Sequence, residues 1–339
     1  MKAYPFTLLI FLVLFNCLNT MSQESKLLPG KAGVFKLKYF DVYERDECNY
    51  TKTETAANYQ KLLVLTALLR RNPVIGNPEG FDCVLSKTIE RCMPQYDYGI
   101  PCQVWIDFCS WSMESGREIC WTSEPPEWYL NVNRLRTFGA AGFNVTTDEP
   151  SQTKPGFNME QWEKSADKVN ELFYMPGEKE TVGKGIDRYK GDFIIIYNPV
   201  RPANWEQVKI RETFELLFDY WRKHPNQLTS ETMVKMLEKE YAVFSESEKG
   251  GYAYFGDPNS IFRIGSDSRQ LPVMRVNPAY WNKSLPRSDI QFISFNCPAD
   301  KESIKIEKEE RLKNNNGYYH LSRFIEALDI TGFPAIINK

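Results

Sequence analysis

The stretch Cys102–Thr122, CQVWIDFCSWSMESGREICWT, holds three cysteines and three tryptophans in twenty-one residues. It reads as a β-hairpin. Glu114-Ser115-Gly116 supplies the turn, and Gly116 tolerates a left-handed backbone. A four-residue loop over 113–116 sets Ser112 opposite Arg117 and Cys109 opposite Cys120. A three-residue loop instead opposes Cys109 to Trp121 and removes that pairing. One face of the hairpin carries Val104, Ile106, Phe108, Ile119 and Trp121, interrupted near the turn by Ser110, Ser112 and Arg117; this is the expected core face. The other carries Trp105, Asp107, Cys109, Trp111, Glu118, Cys120 and Thr122. Directly opposed residues bring their Cβ atoms to about 4.5–5.5 Å, close to what a disulfide needs. The four-residue register therefore predicts a Cys109–Cys120 bridge.

The chain's first residues bear on whether that bridge can form. Lys2 precedes an unbroken apolar run, Thr7–Phe15, about half the roughly 20 residues of a membrane span. That is the pattern of a secretory signal peptide, residues 1–22, with Thr20-Met21-Ser22 at the cleavage site and Gln23 as the new N-terminus. Lipidation of Cys17 is the rival reading. Phe15 and Asn16, bulky or polar where small residues are required, argue against it. The expected location is secreted or periplasmic, with no transmembrane span after signal cleavage. Of the eight cysteines, seven follow the cleavage point and five fall between 83 and 120. An oxidising compartment makes disulfides the default, with Cys83 and Cys92 as further candidates, and the odd number leaves one thiol over. Zinc is disfavoured, because no C-x2-C pair is present and the chain has two histidines.

Outward from the hairpin, Thr51-x-x-Glu54 is a capping box that opens a buried helix running to Asn72-Pro73. Glu127–Phe138 supplies another strand. Polar, turn-rich residues 146–160 mark a soft boundary between a helix-plus-hairpin module, 23–150, and a second module, 151–339. In the second, Met159–Phe173 is helical, Phe193–Tyr197 is a strand and Trp205–His224 an amphipathic helix capped by Asn204. Thr229 caps the next helix. Strands are expected at 252–255, 261–264, 271–276 and 290–295, then helices at 301–313 and 318–328. Runs of strands beside runs of helices give an α+β fold, helices packed on antiparallel sheets. Two segments, DFIIIYNPVRPANWEQVKIRETFELLFDYW (192–221) and VMRVNPAYWNKSLPRSDIQFISF (273–295), resemble a pattern in uncharacterised secreted proteins of Gram-negative bacteria. The resemblance implies secretion and α+β architecture and carries over no catalytic residue.

Chemistry is sparse. Lys and Arg total 42 against 44 Asp and Glu, so no basic footprint for nucleic acid exists. No H-E-x-x-H is present. His224, at a helix C-terminus, suits a partly positive imidazole facing the dipole. His320 has no G-x-S-x-G to serve; a Cys297–His320 dyad is conceivable, but Cys297, at the end of a strand, reads more simply as the odd thiol or a disulfide partner. Gly177–Gly185 (GEKETVGKG) has the wrong spacing and flanks for a phosphate-binding loop and reads as a plain loop. No cofactor or metal is expected. The sequons at Asn49, Asn144 and Asn282 matter in a eukaryotic secretory pathway. Asp107 and Glu118 share the polar hairpin face but stand about 13 Å apart in the expected register. Glycosidase carboxylates stand at about 5–5.5 or 6.5–9.5 Å. Trp105 and Trp111 are about 20 Å apart along the strand, which suits an extended protein or glycan ligand; a covering helix would instead make them core. The ligand-facing candidates are Trp105, Asp107, Trp111 and Glu118. The function expected is a binding or interaction module, with a cell-envelope hydrolase using carboxylates as the alternative.

Overall fold

A computed structural model describes residues 26–39, 50–89, 98–134, 141–143, 145–147, 150, 152–174, 179–189, 193–297 and 317–337. Cys17, Cys48, Cys92, the sequons at Asn49 and Asn144, and the expected helix at 301–313 lie outside the described residues.

Apolar alternation builds the large sheet. Its strands run in the order β2 (Phe35–Tyr39), β3 (Phe81–Ile89), β4 (Cys102–Glu114), β6 (Glu127–Val132), β16 (Phe292–Asn296), β11 (Phe193–Tyr197), β10 (Ile186–Tyr189), β9 (Lys179–Gly183). Two short strands, β1 (Lys26–Leu27) and β5 (Arg117–Cys120), flank the far half of β4. All these pairs are antiparallel except β2 with β3, which are parallel. The chain crosses between those two through α1 (Lys52–Leu69), as a parallel connection requires. A smaller sheet comprises β14 (Ile264–Gly265), β13 (Tyr254–Phe255), β15 (Leu271–Val276), β8 (Phe173–Tyr174) and β7 (Ala141–Gly142), with β12 (Trp205–Gln207) also paired to β15.

The remaining helices are α2 (Pro73–Gly76), α3 (Met159–Asn170), α4 (Ile210–Lys223), α5 (Gln227–Tyr241), α6 (Glu246–Lys249) and α7 (Gly317–Glu326). The fold is α+β, in four layers. One core joins Leu62, Leu65 and Leu69 of α1 and Phe324 of α7 to Val104, Ile106, Phe108, Leu130 and Ile293 of the large sheet. A second lies between the sheets, where Phe193, Ile195 and Phe292 meet Phe173, Trp205 and Val276. A third packs Val273 and Ile264 of the small sheet against Trp162, Phe214 and Leu237 of α3, α4 and α5. Strands from both sides of the expected boundary near residue 150 enter the large sheet, because β6 pairs directly with β16.

Local signals formed as expected where they were self-contained. In the α1 capping box, Thr51 Oγ1 accepts the Glu54 N–H at 3.2 Å and Glu54 Oε2 accepts the Thr51 N–H at 2.8 Å. Elsewhere, partners distant in the chain shifted boundaries. Trp205–Gln207 is a strand, not the first turn of a helix, since Trp205 opposes Val276 and is 6% exposed between the sheets. The helix starts at Ile210, so Asn204 caps nothing. Asn226, not Thr229, caps α5 by accepting the Thr229 N–H at 2.9 Å. Lys179–Gly183, expected as loop, is a strand paired with β10. The turn between them needs Gly185, at φ +76°, where a Cβ would stand 2.5 Å from the Tyr197 carbonyl oxygen.

Candidate functional face of the large sheet

The hairpin is tighter than the four-residue loop expected. Ser115 and Gly116 alone form the turn, at φ 48° and 78°, so both central residues are left-handed, as in the two-residue turn whose twist matches the flanking strands. The register moves by two residues. Trp111 therefore opposes Cys120, Ser112 opposes Ile119 and Glu114 opposes Arg117. The expected Cys109–Cys120 bridge is overturned: no disulfide joins the described cysteines. Instead the Cys120 thiol donates to the Cys109 carbonyl oxygen at 3.3 Å. Burial pushes the Cys109 thiol up to about 12 and raises that of Cys83 further. A shift of two preserves the faces, so Val104, Ile106 and Phe108 are fully buried as expected. Ile119 and Trp121 are not core, being 38% and 46% exposed.

The four ligand-facing candidates separate into two pairs with different roles. Trp111 Nε1 donates to Asp82 Oδ1 at 2.9 Å. The buried Asp82 also accepts Lys36 Nζ at 2.6 Å and the Val34 N–H at 3.0 Å. Lys31 Nζ sits 4.0 Å above the Trp111 ring and pairs with Glu118. Trp111 and Glu118 thus clasp the segment 31–36 against the hairpin, a structural task.

Trp105 and Asp107 lie toward the middle of β4, and β6 runs alongside. Tyr129 is directly opposite Trp105 and Glu127 is directly opposite Asp107. Opposed residues place their Cβ atoms about 4.5–5.5 Å apart, so an aromatic pair and a carboxylate pair stand side by side. This is the sheet face whose other half, at β11 and β16, is covered by the small sheet. Trp105, Asp107 and Tyr129 are half-buried and Glu127 is exposed. Asp107 Oδ1 is enclosed without a hydrogen-bond partner among the described residues. Burial raises the Asp107 carboxyl to about 6; Glu127 opposite adds to the rise and Lys38 opposes it. Burial also raises Glu127. Glu118, expected on the same polar face as Asp107, stands opposite Met113, farther along β4. Glu127, twenty residues along from Asp107, was missed because it comes from the next strand, whose register no local signal sets.

The histidines do less than their chemistry allows. His224 ends α4 and its Nδ1 accepts the Asn226 N–H at 3.2 Å. Burial lowers its pKa, so it is a neutral acceptor and not the partly positive group expected there. His320 is stacked on Phe81, and neither ring nitrogen has a hydrogen-bond partner among the described residues. It therefore makes no hydrogen-bonded dyad with Cys297. Among the described residues no helix is long and apolar enough to cross a membrane, and no group of three or more His, Cys, Asp or Glu could hold a metal ion.

Fold and face together define a two-sheet α+β protein with paired aromatics beside paired carboxylates on one sheet. Comparison with family models, with curated proteins and with solved structures finds no match to this chain.

Proposed function

We propose that this chain is an exported binding module whose ligand-facing surface is Trp105, Asp107, Glu127 and Tyr129. The ligand class that fits is a glycan. Sugar rings stack their C–H faces on Trp and Tyr, and their hydroxyls supply the hydrogen bonds that a half-buried carboxyl lacks. The observation that carries the reading is the adjacency of the two cross-strand pairs. Export is supported by the Lys2 and Thr7–Phe15 pattern, and the resemblance to secreted proteins agrees with it. The near balance of charge gives no support to a nucleic-acid ligand.

The test is calorimetry and tryptophan fluorescence with cello-, chito- and malto-oligosaccharides. At least one series is expected to bind, and Trp105→Ala is expected to weaken it tenfold or more. Trp121→Ala, at the half-exposed residue just past β5, should leave it unchanged. Absence of binding to every series at millimolar ligand overturns the reading.

A second reading, hydrolysis by carboxylates, is favoured by one feature. Asp107, raised to about 6, stands directly opposite Glu127, so one strand pair presents two carboxyls of which one is held partly protonated, the pairing that acid–base hydrolysis of glycosides uses. Release of reducing ends from the same oligosaccharides, lost in Asp107→Asn and Glu127→Gln with binding retained, would select the hydrolase.

A further inference from the structure

Past Asp107, the same face of β4 carries a pair of thiols that the glycan reading leaves unused. Cys109 follows Asp107 two residues along, on the same side of the strand. Trp111, two further on, stands directly opposite Cys120 of β5, so Cys109 and Cys120 are diagonal neighbours across the strand pair. The Cys120 thiol donates to the Cys109 carbonyl oxygen at 3.3 Å, and its sulfur is within hydrogen-bond reach of the Cys109 thiol. Neither sulfur is in a disulfide.

The diagonal spacing accounts for the free thiols and also for what could join them. Diagonal neighbours stand about 7–8 Å apart, beyond the roughly 4.4–6.8 Å between α-carbons that a disulfide accepts. Two thiolate–metal bonds of about 2.3 Å each would instead hold the sulfurs about 4.6 Å apart, a gap that a diagonal pair can span. Two sulfur ligands suit a soft monovalent ion, Cu(I), and not zinc, which takes four ligands. Among the described residues no third His, Cys, Asp or Glu completes a larger set. Burial raises the pKa of both thiols, so both are protonated at neutral pH. The charged groups that face them are Asp82 and Asp107, which favour the protons, and Lys36 and Lys38, which oppose them. Lys36 Nζ pairs with Asp82 at 2.6 Å and is within electrostatic reach of both sulfurs. Cys83 of β3 is in the core on the opposite face.

We propose that Cys109 and Cys120 form a two-coordinate site for one Cu(I) ion. Each sulfur gives up its proton and donates a lone pair to the ion, so two protons leave to solvent as two S–Cu bonds form. No electron is transferred. The bis-thiolate complex carries one net negative charge, and the Lys36 ammonium offsets it. Cys120 is half-buried and gives the ion access from solvent, while Cys109, 2% exposed, is the buried ligand. The site belongs to the hairpin and is independent of the glycan reading.

The experiment is an anaerobic titration of the full-length mature protein with Cu(I), in competition with the chromophoric chelator bicinchoninate. The wild type is expected to draw one ion per chain from the chelator, with X-ray absorption showing two sulfur neighbours. Cys109→Ser and Cys120→Ser, each checked for an unchanged circular dichroism spectrum, are expected to lose at least a hundredfold in affinity. Cys83→Ala and Cys297→Ser should bind as the wild type does. One equivalent of Cu(I) is also expected to slow alkylation of Cys120 by iodoacetamide at least tenfold in the wild type, mapped by mass, which needs no substitution. Failure of the wild type to compete with the chelator overturns the proposal, as does Cu(I) uptake that survives either serine substitution or alkylation of Cys120 at an unchanged rate. A Cys109–Cys120 disulfide formed by mild oxidation of the folded protein also overturns it, since the sulfurs would then meet without an ion between them.

Discussion

His320 is 2% exposed and stacks on Phe81 with ring centroids 4.2 Å apart, in a site that a phenyl ring would fill as well. Burial, and then the charge of Arg323, depress its pKa to about 4. The unfolded chain takes up this proton near pH 6.5 and the folded chain does not. Its contribution to stability is therefore whole above about 6.5 and is lost as pH falls toward 4. His320→Phe is expected to remove that loss. In urea melts between pH 7 and 4 the wild type should lose up to about 1.4 kcal/mol per pH unit relative to the variant. Parallel stability curves would refute the assignment. At this scale the sequence was partly readable. The lysine at 87 interrupts a visible alternation and could have been flagged. Asn133 could not: it holds φ +56° and braces Ile100, Asp289 and Gln291 through its side chain, contacts spread over the chain.

The hairpin is the element on which the sequence reading turned. Its faces were right and its partners wrong, because a change of two in loop length preserves alternation and alters every opposition. Ser115 at φ 48° is the weaker of the two turn residues. Ser115→Asn, the residue preferred there, is expected to raise stability by about 0.5 kcal/mol, whereas Gly116→Ala should lower it by about 1 kcal/mol. Thermal melts of both variants check the turn; a stabilising Gly116→Ala would show that the backbone is not left-handed there. The same contrast explains the other elements. α1 was legible because its cap and its apolar residues are all internal to one segment. The start of α4 was not, because Trp205–Gln207 obeys a pairing with Leu271–Val276 that outweighs helix propensity.

For the whole molecule, the fold class followed from the mix of elements, but the sheet order did not. β6 and β16 adjoin at the centre of the large sheet, and Trp128 Nε1 donates to the Asn296 carbonyl oxygen at 3.0 Å across it. Residues 23–150 expressed alone would leave the β6 edge without its neighbour and Trp128 and Leu130 without Phe295. That fragment is expected to be unfolded or aggregated by circular dichroism and gel filtration. A folded, monomeric fragment would show that the first part of the chain is self-sufficient.

The Trp128–Asn296 bridge joins residues 168 apart in the chain. At ribosomal speeds of about 5–20 residues per second, that separation is a delay on the order of ten to thirty seconds. Throughout it a nascent chain holds an open strand edge, a template for self-association. The central seam is thus a timer: it keeps the large sheet open at its middle until residue 296 has been made.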